Sequence, residues 1–152
     1  MEITQQADYA VRAVLELALQ PPGVRLSCET IAQRHTIPLA FLTKICARLV
    51  TEGILQSQRG AKGGVQLARP AEAINLLQVV EAIDGPITFN RCNRRPAECT
   101  GAGMCPVHSI WSKLCCEFRM RLASYTFESL AVSSRPTSSP TSTSIIRLIQ
   151  LR

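Results

Sequence analysis

The stretch "PLAFLTKICARLVTEGILQSQRGAKGGVQLARP", residues 38–70, limits the fold more than any other part of the chain. Pro38 suits the first turn of a helix. Behind it Leu39, Leu42, Ile45, Cys46, Leu49 and Val50 make one apolar face, while Thr43, Lys44, Ala47, Arg48 and Thr51 face the other way. Gly53 closes the helix. A shorter helix, about 28–34, precedes it, with Ser27 as N-cap and Leu26 placed to staple against Ile31. Two helices joined by a tight turn, the second with a short-polar and basic outer face, predict a helix-turn-helix. Two short strands follow, about 54–58 and 64–68, around a turn holding Arg59, Gly60, Lys62, Gly63 and Gly64. Glycines permit the positive φ that such a turn needs. A basic hairpin directly after a helix-turn-helix is a winged helix.

On duplex DNA, Thr43, Lys44 and Arg48 are the expected major-groove and phosphate contacts. Ser57, Gln58, Arg59 and Lys62 are the expected wing contacts, and Arg59 is the one expected to enter a minor groove. The plainer alternative is a helical hairpin followed by a surface hairpin, both charged only for solubility.

Upstream, Ile3, Ala7, Ala10, Val11, Val14, Leu15 and Ala18 recur with helical period over residues 3–19, and "PPG" at 21–23 ends that helix. After Pro70, "INLLQVVEAIDG" predicts a helix that buries Leu76, Val79, Val80 and Ile83 and stops at Gly85. From Pro106, "PVHSIWSKLCCEFRMRLASYTFESL" reads as one long helix with Val107, Trp111, Leu114, Phe118, Leu122 and Tyr125 at steps of three and four. A domain this small cannot cover so long a stripe, and a two-fold partner helix is the economical cover. A homodimer is therefore expected, its paired recognition helices meeting half-sites about one helical turn apart. The Ser/Thr/Pro-rich tail cannot supply a core. The expected class is mainly α: a winged helix-turn-helix domain over 1–70, then a helix, a cysteine loop and a long dimerisation helix over 71–130, then a disordered tail over 131–152.

Seventeen Lys and Arg against eleven Asp and Glu give a net charge of +6, a balance that favours a polyanionic partner. Aromatic residues are only 5%, so the core must be aliphatic, which suits helix on helix. Acidic and polar residues stand at the N-terminus where a secretory signal would be basic, and no apolar run reaches membrane-spanning length. These features point to a cytoplasmic protein with no membrane partner, and a reducing compartment disfavours a disulfide framework. Cys28 and Cys46 lie in helix-like apolar patterns and read as small buried hydrophobes. The two histidines, His35 and His108, have no recognisable nucleophile or carboxylate partner, so no enzyme is expected.

The segment "RCNRRPAECTGAGMCPVH", residues 91–108, brings Cys92, Cys99, Cys105 and His108 together in sequence. Three cysteines and a histidine suit tetrahedral zinc, yet the tight C-x-x-C knuckle common in zinc loops is missing. Wide, glycine-containing spacing lets thiolates converge on a larger object such as an iron–sulfur cluster. Cys105 also opens the long helix, where the dipole favours a thiolate. Spacing favours iron–sulfur, with zinc and no metal as the alternatives.

Four features together resemble the Rrf-two family of bacterial regulators, with its IscR-like, NsrR-like and RirA-like members. These are "DYAVRAVLELAL", "TIPLAFLTKICARLVTEGILQSQRGAKGGVQLARP", "LLQVVEAIDGPI" and the three cysteines before "PVHSIW". The resemblance covers about residues 1–130. It implies a homodimeric winged-helix transcription regulator with one iron–sulfur cluster per subunit, held by Cys92, Cys99 and Cys105. NsrR-like proteins add an aspartate from the first helix of the partner subunit to a four-iron cluster, and Asp8 matches that position. IscR-like proteins add a histidine after the last cysteine to a two-iron cluster, and His108 matches that one. The first cysteine gap is wider than in IscR-like proteins, and Thr43 stands where they carry a glutamate. The resemblance therefore favours Asp8 and a 4Fe-4S cluster over His108 and a 2Fe-2S cluster. The plain readings are an Asp8–Arg12 surface pair one helical turn apart and a polar His108 in a first turn. The implied function is sensing of redox state, nitric oxide or iron and cluster supply. Its alternatives are a metal-free regulator answering to thiol oxidation or a partner protein, and a cluster-carrying redox or assembly protein.

Overall fold

The computed structural model describes residues 3–60, 63–90, 94 and 105–134. Its centre is α1 (Gln5–Ala18), capped by Thr4, whose hydroxyl accepts from the Ala7 amide at 3.2 Å. Ala7, Ala10, Ala13 and Val14 are fully buried along one face of α1, and side chains so small let other helices approach closely.

The predicted helix pair is present as α2 (Cys28–His35) and α3 (Leu39–Thr51). Ser27 caps α2 by accepting from the Thr30 amide at 3.0 Å. Thr36 ends it at φ 53, a left-handed conformation that a β-branched residue adopts only when its surroundings hold it. Here the Ile37 amide donates to the Ala32 carbonyl at 2.9 Å while the Ile37 side chain is buried. Leu42, Ile45, Cys46 and Leu49 face inward as expected. Leu39 does not: it is 46% exposed, one turn outside the buried patch that begins at Leu42.

The wing is β1 (Leu55–Gln58) against β2 (Gly64–Leu67), antiparallel, with Leu55 opposite Leu67 and Gln58 opposite Gly64. Leu26 adds an edge that the sequence did not suggest. It exchanges backbone hydrogen bonds with Val65 at 3.1 and 2.9 Å, so the wing is fastened to the entry of α2.

After a single 3-10 turn at Ala71–Ala73, α4 (Leu76–Asp84) starts from a capping box formed by Asn75 and Gln78. It packs along α1, and Asp84 accepts from the Thr4 amide at 3.0 Å, tying the end of one helix to the start of the other. Val79, Val80 and Ile83 are buried.

The single long helix expected from residue 106 to 130 is instead two, α5 (Pro106–Ala123) and α6 (Phe127–Ser134). Tertiary pairing breaks it. The Leu76 amide donates to the Tyr125 carbonyl and the Phe127 amide donates to the Ile74 carbonyl, both at 2.9 Å, so the connector pairs with the lead-in to α4. Thr126 then accepts from the Ser129 amide at 3.2 Å and starts α6. The break swings Phe127 and Ala131 into the core, where Phe127 is the largest fully buried side chain among the described residues. Residues 131–134, assigned to the tail by composition, are the last turn of α6. One apolar cluster runs through α1, the helix-turn-helix, the wing base, α4 and Phe127. The remaining tail, 135–152, lies outside the described residues.

Candidate nucleic-acid interface and cysteine loop

α3 turns Thr43, Lys44, Ala47 and Arg48 outward, on the face that the 3.6 period assigned to them. The Thr43 hydroxyl donates to the Leu39 carbonyl at 2.9 Å, so its proton is engaged within the helix and it presents its methyl and lone pairs outward. Among the described residues, no ion pair neutralises Lys44, Arg48 or Arg59. The outward face also carries Phe41, 51% exposed, which the sequence reading missed. Its only signal was a large aromatic off the Leu42–Ile45–Leu49 stripe.

Ser57, Gln58 and Arg59 are exposed on the wing, and Lys62 lies outside the described residues. Two glycines shape that hairpin. Gly64 sits at φ 147, and a Cβ there would come within 2.6 Å of the Leu26 carbonyl oxygen. A Cβ on Gly63 would come within 2.4 Å of the Gln58 carbonyl oxygen. Only glycine lets the wing close on itself and on Leu26.

Cys92 and Cys99 lie outside the described residues. Cys105 is an exposed free thiol at the N-cap of α5, with Pro106 behind it at the first helical position. His108 stands in the same first turn, its amide donating to the Cys105 carbonyl at 3.2 Å. Its Nδ1 is buried without a hydrogen-bond partner among the described residues. An exposed thiol at a helix N-terminus and, in the same turn, an imidazole nitrogen with no partner among the described residues suit metal ligation. Asp8 lies on the outer side of α1, 2.7 Å from Arg12, both side chains 48% exposed. Such a pair is worth only about 0.3–0.5 kcal/mol and holds the carboxylate weakly. Among the described residues, no three His, Cys, Asp or Glu side chains converge on one point.

α5 leaves Val107, Ile110, Trp111 and Leu114 exposed, a run at helical spacing on one side of the helix. Phe118 and Leu122, further along the predicted stripe, pack instead against the core. The Phe118 ring lies 5.6 Å from that of Phe89, and an ion pair from Arg119 to Glu81 fastens α5 to α4. Among the described residues no helix is long and apolar enough to cross a membrane.

Comparison with known proteins agrees with this geometry. Residues 3–133 match the family model Rrf2, described as an iron-dependent transcriptional regulator. The transcriptional regulator IscR of Xenorhabdus nematophila is 32% identical over 130 residues, covering 86% of this chain and 79% of that protein. Among solved structures, IscR of T. potens superimposes with a TM-score of 0.72 at 22% identity, covering 91% of this chain and 92% of that one. CymR, the global cysteine regulator of B. subtilis, gives 0.70 at 23% identity, covering 88% and 98%. These relatives are regulators and not enzymes, and their names lend nothing to an assembly-protein reading. The chain belongs to the Rrf2 family of DNA-binding transcriptional regulators.

Proposed function

We propose that this regulator works as a homodimer whose grip on DNA is set by an iron–sulfur cluster in the 92–105 loop. The observation that carries the sensing part is the first turn of α5. It presents an exposed Cys105 thiol beside a histidine whose Nδ1 has no partner among the described residues. Cys92, Cys99 and Cys105 are the thiolate ligands. Two residues compete for the fourth position. His108 shares the turn with Cys105, and the partner subunit's Asp8 would need only to leave its weak pairing with Arg12.

When bound, the cluster supplies iron that responds to nitric oxide, oxidation or iron shortage. The chain's own residues do the rest. Cys105 ties the loop to α5, and α5 is tied to α4 by Glu81 and Arg119. α4 packs on α1 and on α3, so Cys105 and the reading head are joined through packed helices. The exposed Val107–Leu114 side of α5 supports the dimer, because a patch of that kind on a small protein favours a symmetric partner. Dimerisation then sets the separation of the two α3 helices, and a change of 1–3 kcal/mol in that arrangement alters operator occupancy by about 5–150-fold.

Anaerobic purification followed by native mass spectrometry tests this directly. The expected species is a dimer with iron and acid-labile sulfide in equal amounts, lost on replacing Cys92, Cys99 and Cys105 by Ser. His108→Ala or Asp8→Ala, whichever loses the cluster, identifies the fourth ligand. A colourless dimer whose DNA affinity ignores the triple Ser replacement overturns the sensing role and leaves the regulator assignment standing.

A further inference from the structure

The first turn of α3 leaves a large aromatic side chain in water. Phe41 is the third residue of the helix and is 51% exposed, and its ring pairs with no other aromatic ring among the described residues. Its backbone is firmly held. The Phe41 amide donates to the Pro38 carbonyl at 3.0 Å, and the Leu42 amide donates to the same oxygen at 3.1 Å. Ile37, just before the helix, and Leu42, next to Phe41, are both buried in the core and anchor the turn from below. Phe41, Lys44 and Arg48 stand at i, i+3 and i+7, so they share one side of α3. We propose that Phe41 is a base-reading residue, its ring packing on the C5-methyl group of a thymine in the major groove.

Charge selects the partner. The ring shares its side of the helix with two cations that no ion pair neutralises among the described residues, so whatever meets that side carries negative charge. Phosphates satisfy Lys44 and Arg48 but offer an aromatic ring nothing. In the major groove the base edges present hydrogen-bonding atoms and one apolar group, the thymine methyl, and a phenylalanine ring is among the side chains that suit it. Position agrees with chemistry. The N-terminal residues of a recognition helix are those that reach base edges, and Phe41 lies in the first turn whereas Arg48 lies two turns further on. The ring is also ready for contact, because its backbone is fixed and only two side-chain torsions remain to be ordered. Cations on phosphates position a protein without reading sequence, and a ring on a methyl group adds a preference for A·T over G·C. This role rests on the reading that α3 lies in the major groove.

The test uses the full chain, purified anaerobically, and a duplex chosen by selection from random sequence. Each thymine of that duplex is replaced in turn by uracil, which deletes the methyl group and keeps every hydrogen-bonding group. Fluorescence anisotropy at one salt concentration reads the affinity. At one thymine of each half-site, uracil is expected to weaken wild-type binding about fourfold, the effect of withdrawing one buried methyl group. Phe41→Ala is expected to bind the thymine duplex more weakly and to treat the thymine and uracil duplexes alike. Phe41→Leu is expected to keep part of the preference. Wild-type affinity that ignores every uracil replacement overturns the proposal without recourse to any variant. A Phe41→Ala protein that keeps the full preference for thymine overturns it as well. Lys44→Ala then distinguishes the two levels of failure. If it weakens binding, α3 stays on the DNA and Phe41 alone loses its role; if it does not, the placement of α3 falls with the proposal.

Discussion

Glu16 is the only buried charged residue among those described, and its partners explain why the core tolerates it. The Arg34 guanidinium pairs with one carboxylate oxygen, His35 Nε2 lies 3.1 Å from the other, and the Gln20 amide donates at 3.2 Å. The carboxylate thus fastens α1 to α2. Glu16→Ala is expected to cost about 1–3 kcal/mol, since it strands the groups that donate to it. Urea denaturation should show a lower midpoint with an unchanged slope. Arg34→Ala should cost less, because Arg34 is half exposed and water replaces part of what it gives. A second residue-scale prediction concerns Gly64. Gly64→Ala would force the wing off the Leu26 carbonyl and hold a Cβ at positive φ, an expected loss of about 1–3 kcal/mol. Thermal melting would read that loss, and DNA affinity should fall with it. Glu16 did not stand out in the sequence, and Gly64 was legible there only as a glycine of the hairpin turn. Glu16 finds its partners 18 and 19 positions away, and Gly64 meets Leu26 in a pairing that no local pattern encodes. Cys46 was legible as a core residue, and Cys28 packs against the same core as its apolar pattern suggested.

At the scale of elements, periodicity located each helix from α1 to α4 within a few residues, since each buries one stripe against α1 or its neighbours. It failed at α5 and α6. The spacing of Phe118, Leu122 and Tyr125 runs through the break without interruption, and only the pairing of residues 125–127 with 74–76 reveals it. Thr126→Ala, which removes the cap from Ser129, is expected to cost about 0.5–2 kcal/mol and to loosen Phe127 from the core. Hydrogen exchange should show this as faster opening of α6 than of α1. Within α5 the predicted stripe divides by environment. Phe118 and Leu122 pack against the core, while Val107, Trp111 and Leu114 are exposed and form the face that the proposed dimer would cover. Leu114→Asp should therefore shift the protein from dimer to monomer in light scattering while leaving each subunit's helical content intact, because Leu114 is 43% exposed in the single chain. An unchanged dimer would move the interface elsewhere.

The whole molecule joins a basic reading surface to a cysteine-bearing helix through one core, and its charge distribution determines how DNA binding should respond to salt. Lys44, Arg48 and Arg59 have no neutralising ion pair among the described residues, so they remain available to displace counterions from phosphates. Thr43, with its proton spent on Leu39, would contact bases only through its methyl group and lone pairs. These two kinds of contact separate experimentally. If Arg48 meets a phosphate in both half-sites of a dimer, Arg48→Ala should reduce the salt slope of log K by about 2, from roughly 0.9 per phosphate per subunit. It should weaken selected and random duplexes alike. Thr43→Ala should leave the salt slope unchanged and narrow the gap between the two duplexes, by about 1–3 kcal/mol if the contact discriminates a base. Fluorescence anisotropy titrations from 50 to 300 mM salt, on a duplex chosen by selection from random sequence and on an unselected control, give both quantities. A reduction in slope near 1 for Arg48→Ala would mean that only one subunit engages the backbone at a time. Unchanged slopes for Lys44→Ala, Arg48→Ala and Arg59→Ala together would remove α3 and the wing from the DNA contact, because no other arrangement of these cations is compatible with counterion release.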